Sequence, residues 1–161
     1  MTFDVFPPGF TNGASVEILR HCFTLAGAMK TPSLPWLLIR DARSLHHVRQ
    51  YRRAVIDAGS AAEIAVKELI RANLPATLPP KLAEKLTEGQ LGPALNTLKD
   101  SGYITTPRDF TTRLVRVRNN VVHMNADGAV SGAQSLDAIV VAAELVEAAE
   151  PLPPGLVREW L

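Results

Sequence analysis

The middle of the chain carries a long run of apolar residues at helical spacing, and this run constrains the fold more than any other feature. From about Leu37 to Asn73 the pattern predicts one long helix. Two apolar stripes recur at steps of three and four residues. They comprise Val48, Tyr51, Val55, Ala58, Ala62, Ala65 and Leu69, and then Ile56, Gly59, Glu63, Val66 and Ile70. A helix that is apolar on two sides has to be covered on two sides, so it should lie at the centre of a bundle.

Prolines, glycines and small polar residues divide the rest of the chain into further helical stretches. Short helices are expected over 80–86 and 93–100, whereas residues 14–30 fit either a helix or a β segment. Thr106 and Pro107 should open a helix that reaches about Val122, with a buried stripe of Phe110, Leu114, Val117 and Val121. Ser131 or Ser135 should cap a last helix ending near Glu150, with Leu136, Ile139 or Val140, Ala143 and Val146 buried. We therefore expect an all-α, up-and-down helical bundle of roughly four to five helices.

Composition is that of an ordinary globular chain. The sequence has 161 residues, a formal net charge of +1 and one cysteine, Cys22, so an internal disulfide is impossible. The N-terminus lacks a secretory pattern and no apolar run is long enough to cross a membrane, so a cytoplasmic location is expected. The predicted organisation is an N-terminal segment of uncertain structure over 1–34, a helical domain over 35–150 and a Pro-rich tail over 151–161.

Residues 114–123 combine three side chains that suit phosphate chemistry. Asn119 and His123 are four positions apart and share a helix face, whereas Arg118 and His123 are five apart, about 140° around an ideal helix. Arg118 and His123 can converge only near a helix end or across a cleft. Arginine binds phosphate through forked donors, histidine exchanges protons near neutral pH, and asparagine orients either one. The alternative is a helix C-terminus at which basic side chains meet the helix dipole.

The segment from Arg118 to His123 resembles the Arg-x4-His motif of the HEPN family (higher eukaryotes and prokaryotes nucleotide-binding domain). The polar Asn119 after the arginine is also typical of that family. Further segments resemble HEPN helices and extend the likeness to about residues 35–150. These segments are Asp41–Arg43, Tyr51–Ala58, Ala61–Leu69, Leu91–Leu95 and Leu98–Gly102.

The resemblance implies a bundle that dimerises through its motif helices, with two Arg-His sets facing one cleft. Active members of the family cleave RNA without metal, many of them as toxins or defence ribonucleases with an antitoxin partner. For this chain it implies catalytic roles for Arg118, Asn119 and His123, a homodimer, and no cofactor. The alternative is a catalytically silent HEPN module that binds a partner protein, a nucleotide or RNA.

Glu63 is informative without the resemblance, because it interrupts an apolar stripe between Ile56 and Ile70. A carboxylate beside the core is costly unless it is paired. We therefore predict that Glu63 pairs with or orients Arg118 or His123 and so orders the site. The alternative partner is any arginine on the rim of the bundle.

Basic residues cluster on two predicted helices and indicate a possible path for a phosphate backbone. The expected RNA-binding residues are Arg52, Arg53, Arg113, Arg116 and Asn120. Such charges are more often a solvated face. No metal site is predicted, because neither His46 nor His47 has a ligand-type residue four positions on.

Overall fold

The computed structural model describes residues 16–28, 31–73, 81, 84, 87–101, 106–123 and 129–152. These ranges contain helices and no strand, which confirms the all-α class for this part of the chain. The α helices are α1 Val16–Gly27, α2 Leu34–His47, α3 Tyr51–Asn73, α4 Leu91–Ser101, α5 Arg116–Val122 and α6 Gly132–Ala149. A π-helical segment, Thr111–Val115, runs directly into α5. Among the described residues, no helix has the length and apolar character needed to span a bilayer.

The chain divides into two compact units. Residues 32–151 form the larger unit, which contains α2 to α6, and α1 belongs to the other unit. Residues 14–30 fitted a helix or a β segment, and α1 resolves that ambiguity in favour of a helix. Cys22 is exposed on α1.

Helix α3 is the centre of the larger unit, as the two apolar stripes predicted. It packs against α2, α6, α4, α5 and the π-helical segment. Its buried residues are mostly small: Ala54, Val55, Ala58, Gly59, Ala61, Ala62, Ala65, Val66, Leu69 and Ile70. Because alanine and glycine keep side-chain bulk low, several neighbouring helices can approach the α3 backbone closely.

The prediction of one continuous helix over Leu37–Asn73 is wrong. The chain breaks at Val48–Gln50, where Arg49 takes a left-handed conformation with φ of 59°. The Gln50 amide then donates to the Leu45 carbonyl oxygen at 2.8 Å. The break lets α2 pack against α3 and bury Ile39 and Ala42, which one straight helix could not do. Val48 therefore lies in the turn and is 62% exposed rather than in the core.

The helix expected to open at Pro107 begins later. Pro107 is buried and non-helical, and Asp109 has a φ of 55°, so a turn precedes Phe110. The predicted stripe of Phe110, Leu114, Val117 and Val121 is buried. The short helix expected over 80–86 falls largely outside the described residues.

Helix α6 begins with a capping box. The backbone amide of Gln134 donates to Ser131 Oγ at 3.2 Å, and the backbone amide of Ser131 donates to the side-chain oxygen Oε1 of Gln134 at 3.0 Å. Ser131 is thus the cap, while Ser135 is buried one turn later. Ile139 rather than Val140 is fully buried, and Leu136, expected on the buried face, is 43% exposed. The buried face of α6 is therefore rotated away from Leu136.

Candidate functional site

A cleft of about 450 Å³ lies between α3, the start of α4 and α5. Arg118, Asn119 and His123, which were predicted to be catalytic, all line it, and so does Glu63, which was predicted to order the site. The other lining residues are Glu88, Gly89, Gln90, Leu91, Gly92, Pro93, Asn96, Val115 and Val122. The cleft thus collects side chains from segments that are far apart in sequence.

The π-helical segment and α5 supply one wall of the cleft. Val115, Arg118, Asn119, Val122 and His123 line it, and these follow the spacing i, i+3, i+4, i+7 and i+8. On an ideal helix this set forms a stripe about 140° wide. Arg118 and His123 lie at its two edges, so both reach the same cleft although they are five residues apart. Both line the cleft beside the end of α5, which agrees with one of the two arrangements that the spacing allowed.

Arg118 is held by two neighbours. Its Nη2 donates to Glu63 Oε2 and its Nη1 donates to Asn119 Oδ1, each at 3.4 Å. Both members of the Arg118–Glu63 ion pair have side chains 29% exposed. The pairing of Glu63 with Arg118 that its position on the stripe predicted is therefore present, and the catalytic role of the pair stays a prediction.

Lys67 fixes the other oxygen of the Glu63 carboxylate. Lys67 Nζ donates to Glu63 Oε1 at 2.9 Å, one helical turn further along α3. Because each carboxylate oxygen has a cationic partner, the Glu63 side chain is oriented by both, and Arg118 meets a carboxylate whose rotamer is already set.

Gly59 is a part of the site that sequence reasoning placed only on an apolar stripe. A β-carbon built at Gly59 would lie 2.7 Å from Arg118 Cγ, closer than real β-carbon contacts occur. The aliphatic part of Arg118 therefore lies across α3 where α3 has no side chain. In the sequence, position 59 has no side chain and position 63, one helical turn later, has a negatively charged one. Only the structure shows that Arg118 lies across Gly59.

His123 follows the last residue of α5. Its amide donates to the Asn119 carbonyl oxygen at 2.9 Å, which closes the final helical turn, and its side chain is exposed at the cleft. Arg52 Nη2 donates to the Val121 carbonyl oxygen at 3.4 Å. An arginine from α3 thus satisfies a carbonyl group at the end of α5 and ties the His123 end of that helix to α3.

The residues predicted to bind RNA do not line the cleft. Arg113 donates to Asp137 Oδ1 on α6 at 3.0 Å, and Arg53 donates to Gln50 Oε1 at 2.8 Å. Arg52 is bonded at the end of α5, while Arg116 and Asn120 are exposed on α5. The contribution of these five residues to RNA binding remains a prediction. Among them, Arg52 bonds to the end of α5, next to His123.

The described residues contain no group of three or more His, Cys, Asp or Glu side chains that could hold a metal ion. The cleft side chains offer a guanidinium, an imidazole, the amides of Gln90, Asn96 and Asn119, and the carboxylates of Glu63 and Glu88. A guanidinium can bind a phosphate oxygen, and an imidazole can donate or accept a proton. Comparisons with protein-family models, with curated proteins and with solved structures find no significant match.

Proposed function

We propose that this chain is a metal-independent endoribonuclease of the HEPN type. The observation that carries the proposal is the meeting of Arg118, Asn119 and His123 in one cleft, with Arg118 held by Glu63 from α3. The all-helical architecture of the described residues agrees with the helical bundle that the resemblance implies. A role as a toxin or defence component belongs to the same proposal.

The reaction follows from the residues in the cleft. The 2′-oxygen of a ribose forms a bond to the adjacent phosphorus while the bond from phosphorus to the 5′-oxygen breaks. The products are a 2′,3′-cyclic phosphate and a free 5′-hydroxyl. Arg118 stabilises the negative charge that develops on the phosphate, His123 transfers a proton, and Asn119 keeps Arg118 in place.

Two proton transfers are needed, because the 2′-hydroxyl loses a proton and the leaving 5′-oxygen gains one. One copy of the chain brings one His123 to the cleft, so a homodimer through the motif helices supplies the second. A second copy that covered the cleft would also cover Val122, which lines the cleft and is 43% exposed.

The test is cleavage of single-stranded RNA by the purified protein in excess EDTA. The parent protein should cleave, and His123→Ala should lose at least about 100-fold in rate, the usual contribution of a general acid or base. His47→Ala removes an exposed histidine of α2 and serves as the matched control. Equal rates for all three proteins would refute the nuclease.

A silent binding module is the second candidate function. It is favoured by the hydrogen bonds of Arg118, whose two terminal nitrogens both donate to protein side chains, Glu63 and Asn119. In that case Arg118 would hold a partner protein, a nucleotide or RNA without cleaving anything. Retention of labelled RNA by a protein that does not cleave it, lost in Arg118→Ala, would support this candidate.

A further inference from the structure

The two walls of the cleft differ in chemistry. The wall formed by α3 and α5 presents Glu63, Arg118 and His123. The opposite wall, at the start of α4, is uncharged from Gly89 to Asn96 and has Glu88 at its end. A phosphate fits the first wall, because Arg118 and Lys67 together outweigh the single negative charge of Glu63, whereas the carboxylate of Glu88 disfavours a phosphate at the second wall. The second wall therefore suits an uncharged part of the ligand.

The floor between the walls is apolar. Leu91 is 3% exposed and Val115 is 8% exposed, and both line the cleft. Gly92 allows this closeness, because a β-carbon there would lie 3.2 Å from Val115 Cγ1. A flat apolar face can rest on such a floor without leaving a polar group unpaired.

Two amide side chains of the α4 wall also line the cleft. Gln90 and Asn96 are exposed there, and within the described ranges neither side chain has a hydrogen-bond partner. Each amide offers an acceptor and two donors in one plane, the pattern that reads the edge of a nucleobase. Sequence-specific proteins read single-stranded RNA in this way, through bases that are not stacked in a duplex.

We propose that the start of α4 forms a nucleobase subsite, in which Gln90 and Asn96 hydrogen-bond the edge of a base whose phosphate is bound by Arg118. The ligand class is a nucleotide unit of single-stranded RNA, so the inference rests on the proposed function. The cleft volume of about 450 Å³ lies in the range of small-ligand sites and admits one nucleotide unit at a time. The subsite would set which base precedes or follows the cleaved bond.

The experiment measures binding rather than cleavage. The affinities of AMP, GMP, CMP and UMP are compared with that of ribose 5-phosphate, in EDTA, by calorimetry. At least one nucleotide should bind tenfold or more tightly than ribose 5-phosphate. Gln90→Ala and Asn96→Ala should each reduce that ratio about fivefold, the loss expected for one hydrogen bond. Arg118→Ala should weaken the nucleotides and ribose 5-phosphate alike.

Thr97→Ala is the matched control, because Thr97 is exposed on α4 beside Asn96 and its hydroxyl donates to the Pro93 carbonyl oxygen at 3.0 Å. Equal binding of nucleotides and ribose 5-phosphate, or an unchanged ratio in both amide variants, overturns the subsite. Cleavage in EDTA without base-dependent binding overturns the subsite alone. Base-dependent binding without cleavage supports the subsite and overturns the nuclease alone.

Discussion

Arg118 crosses α3 at Gly59, where an added β-carbon would meet Arg118 Cγ at 2.7 Å. One turn further along the same helix, Glu63 binds the guanidinium at 3.4 Å. The two positions act together, because Gly59 leaves room for the aliphatic part of the Arg118 side chain and Glu63 binds its guanidinium group. The orientation of Arg118 in the cleft is therefore determined by α3 as well as by Asn119 on its own helix.

Gly59→Ala should displace Arg118 and lower RNA cleavage at least about tenfold, as expected when a positioned group moves by about 1 Å. The better helix propensity of alanine, about 1 kcal/mol, offsets part of the strain, so the melting temperature should change little compared with activity. Rates and thermal unfolding are measured together. Gly27→Ala in α1 is the control, because no atom that the structure describes there lies within 4 Å of the added carbon. Full activity in Gly59→Ala would contradict the positioning role.

Glu63 and Arg118 should be coupled energetically. A double-mutant cycle with Glu63→Gln and Arg118→Gln should give a coupling of about 0.5–1 kcal/mol, the range of a partly exposed ion pair. The coupling should fall in 1 M salt, because screening weakens exposed charge pairs. Urea unfolding of the parent protein, the two single variants and the double variant measures this coupling. A coupling of zero at low salt would mean that the 3.4 Å contact does not stabilise the fold.

His46 should make the fold less stable in mild acid. Burial, helped by the nearby charge of His47, lowers the pKa of His46, and its Nδ1 lies 3.1 Å from Oγ of the buried Ser135 on α6. An unfolded histidine has a pKa near 6.5. Below that pH the unfolded chain binds more protons than the folded protein does. The free energy of unfolding should therefore fall as the pH drops below about 6.5.

Urea unfolding at several values between about pH 7.5 and pH 5 tests this effect of His46. His46→Gln keeps an amide that can bond Ser135 but cannot take up a proton, so its loss of stability over this range should be smaller than that of the parent protein. Parallel curves for the two proteins would assign the pH dependence to other groups.

Asp57→Asn should stabilise the protein near neutral pH. Burial and the negative charge of Asp41 raise the pKa of Asp57, and the positive charge of Arg53 opposes them only in part. Because the folded pKa lies above the unfolded value, ionisation of Asp57 costs stability above about pH 4. The gain of Asp57→Asn should therefore appear at pH 7 and disappear near pH 3, as measured by thermal unfolding. Asp100→Asn, at an exposed position on α4, is the control for the loss of a surface carboxylate.

The central helix and its buried residues could be predicted because their pattern is local. Ala58, Ala62, Ala65 and Leu69 repeat at helical spacing, and burial follows directly from that spacing. A pairing of Glu63 with Arg118 or His123 could be predicted because a carboxylate on an apolar stripe needs a partner, and the structure shows the pair with Arg118. Each of these inferences starts from the pattern of one helix and one physical requirement.

The breaks in the helices could not be predicted, because no residue in them signals a turn. Positions 48–50 are Val, Arg and Gln, all compatible with a helix, and the left-handed Arg49 arises from the packing of α2 against α3. Asp109 likewise takes a positive φ just after Thr106 and Pro107, which fit a helix start. The close approach of Arg118 to Gly59 joins segments 59 positions apart, so no local pattern contains it.

The π-helical segment before α5 is equivalent to one extra residue accommodated in an α helix, since the Arg116 amide donates to the carbonyl oxygen of Thr111 five residues earlier. If the same residues were rewound as an α helix, everything after them would turn by about 100° and Val117 would take the direction now held by Arg118. If one residue were deleted from Thr111–Val115 and the segment returned to α-helical geometry, the side chains of all later residues in the helix would keep their present directions. The chain can therefore lose one residue at this point without turning the cleft face of α5, so a change in length here would leave the directions of the site residues intact.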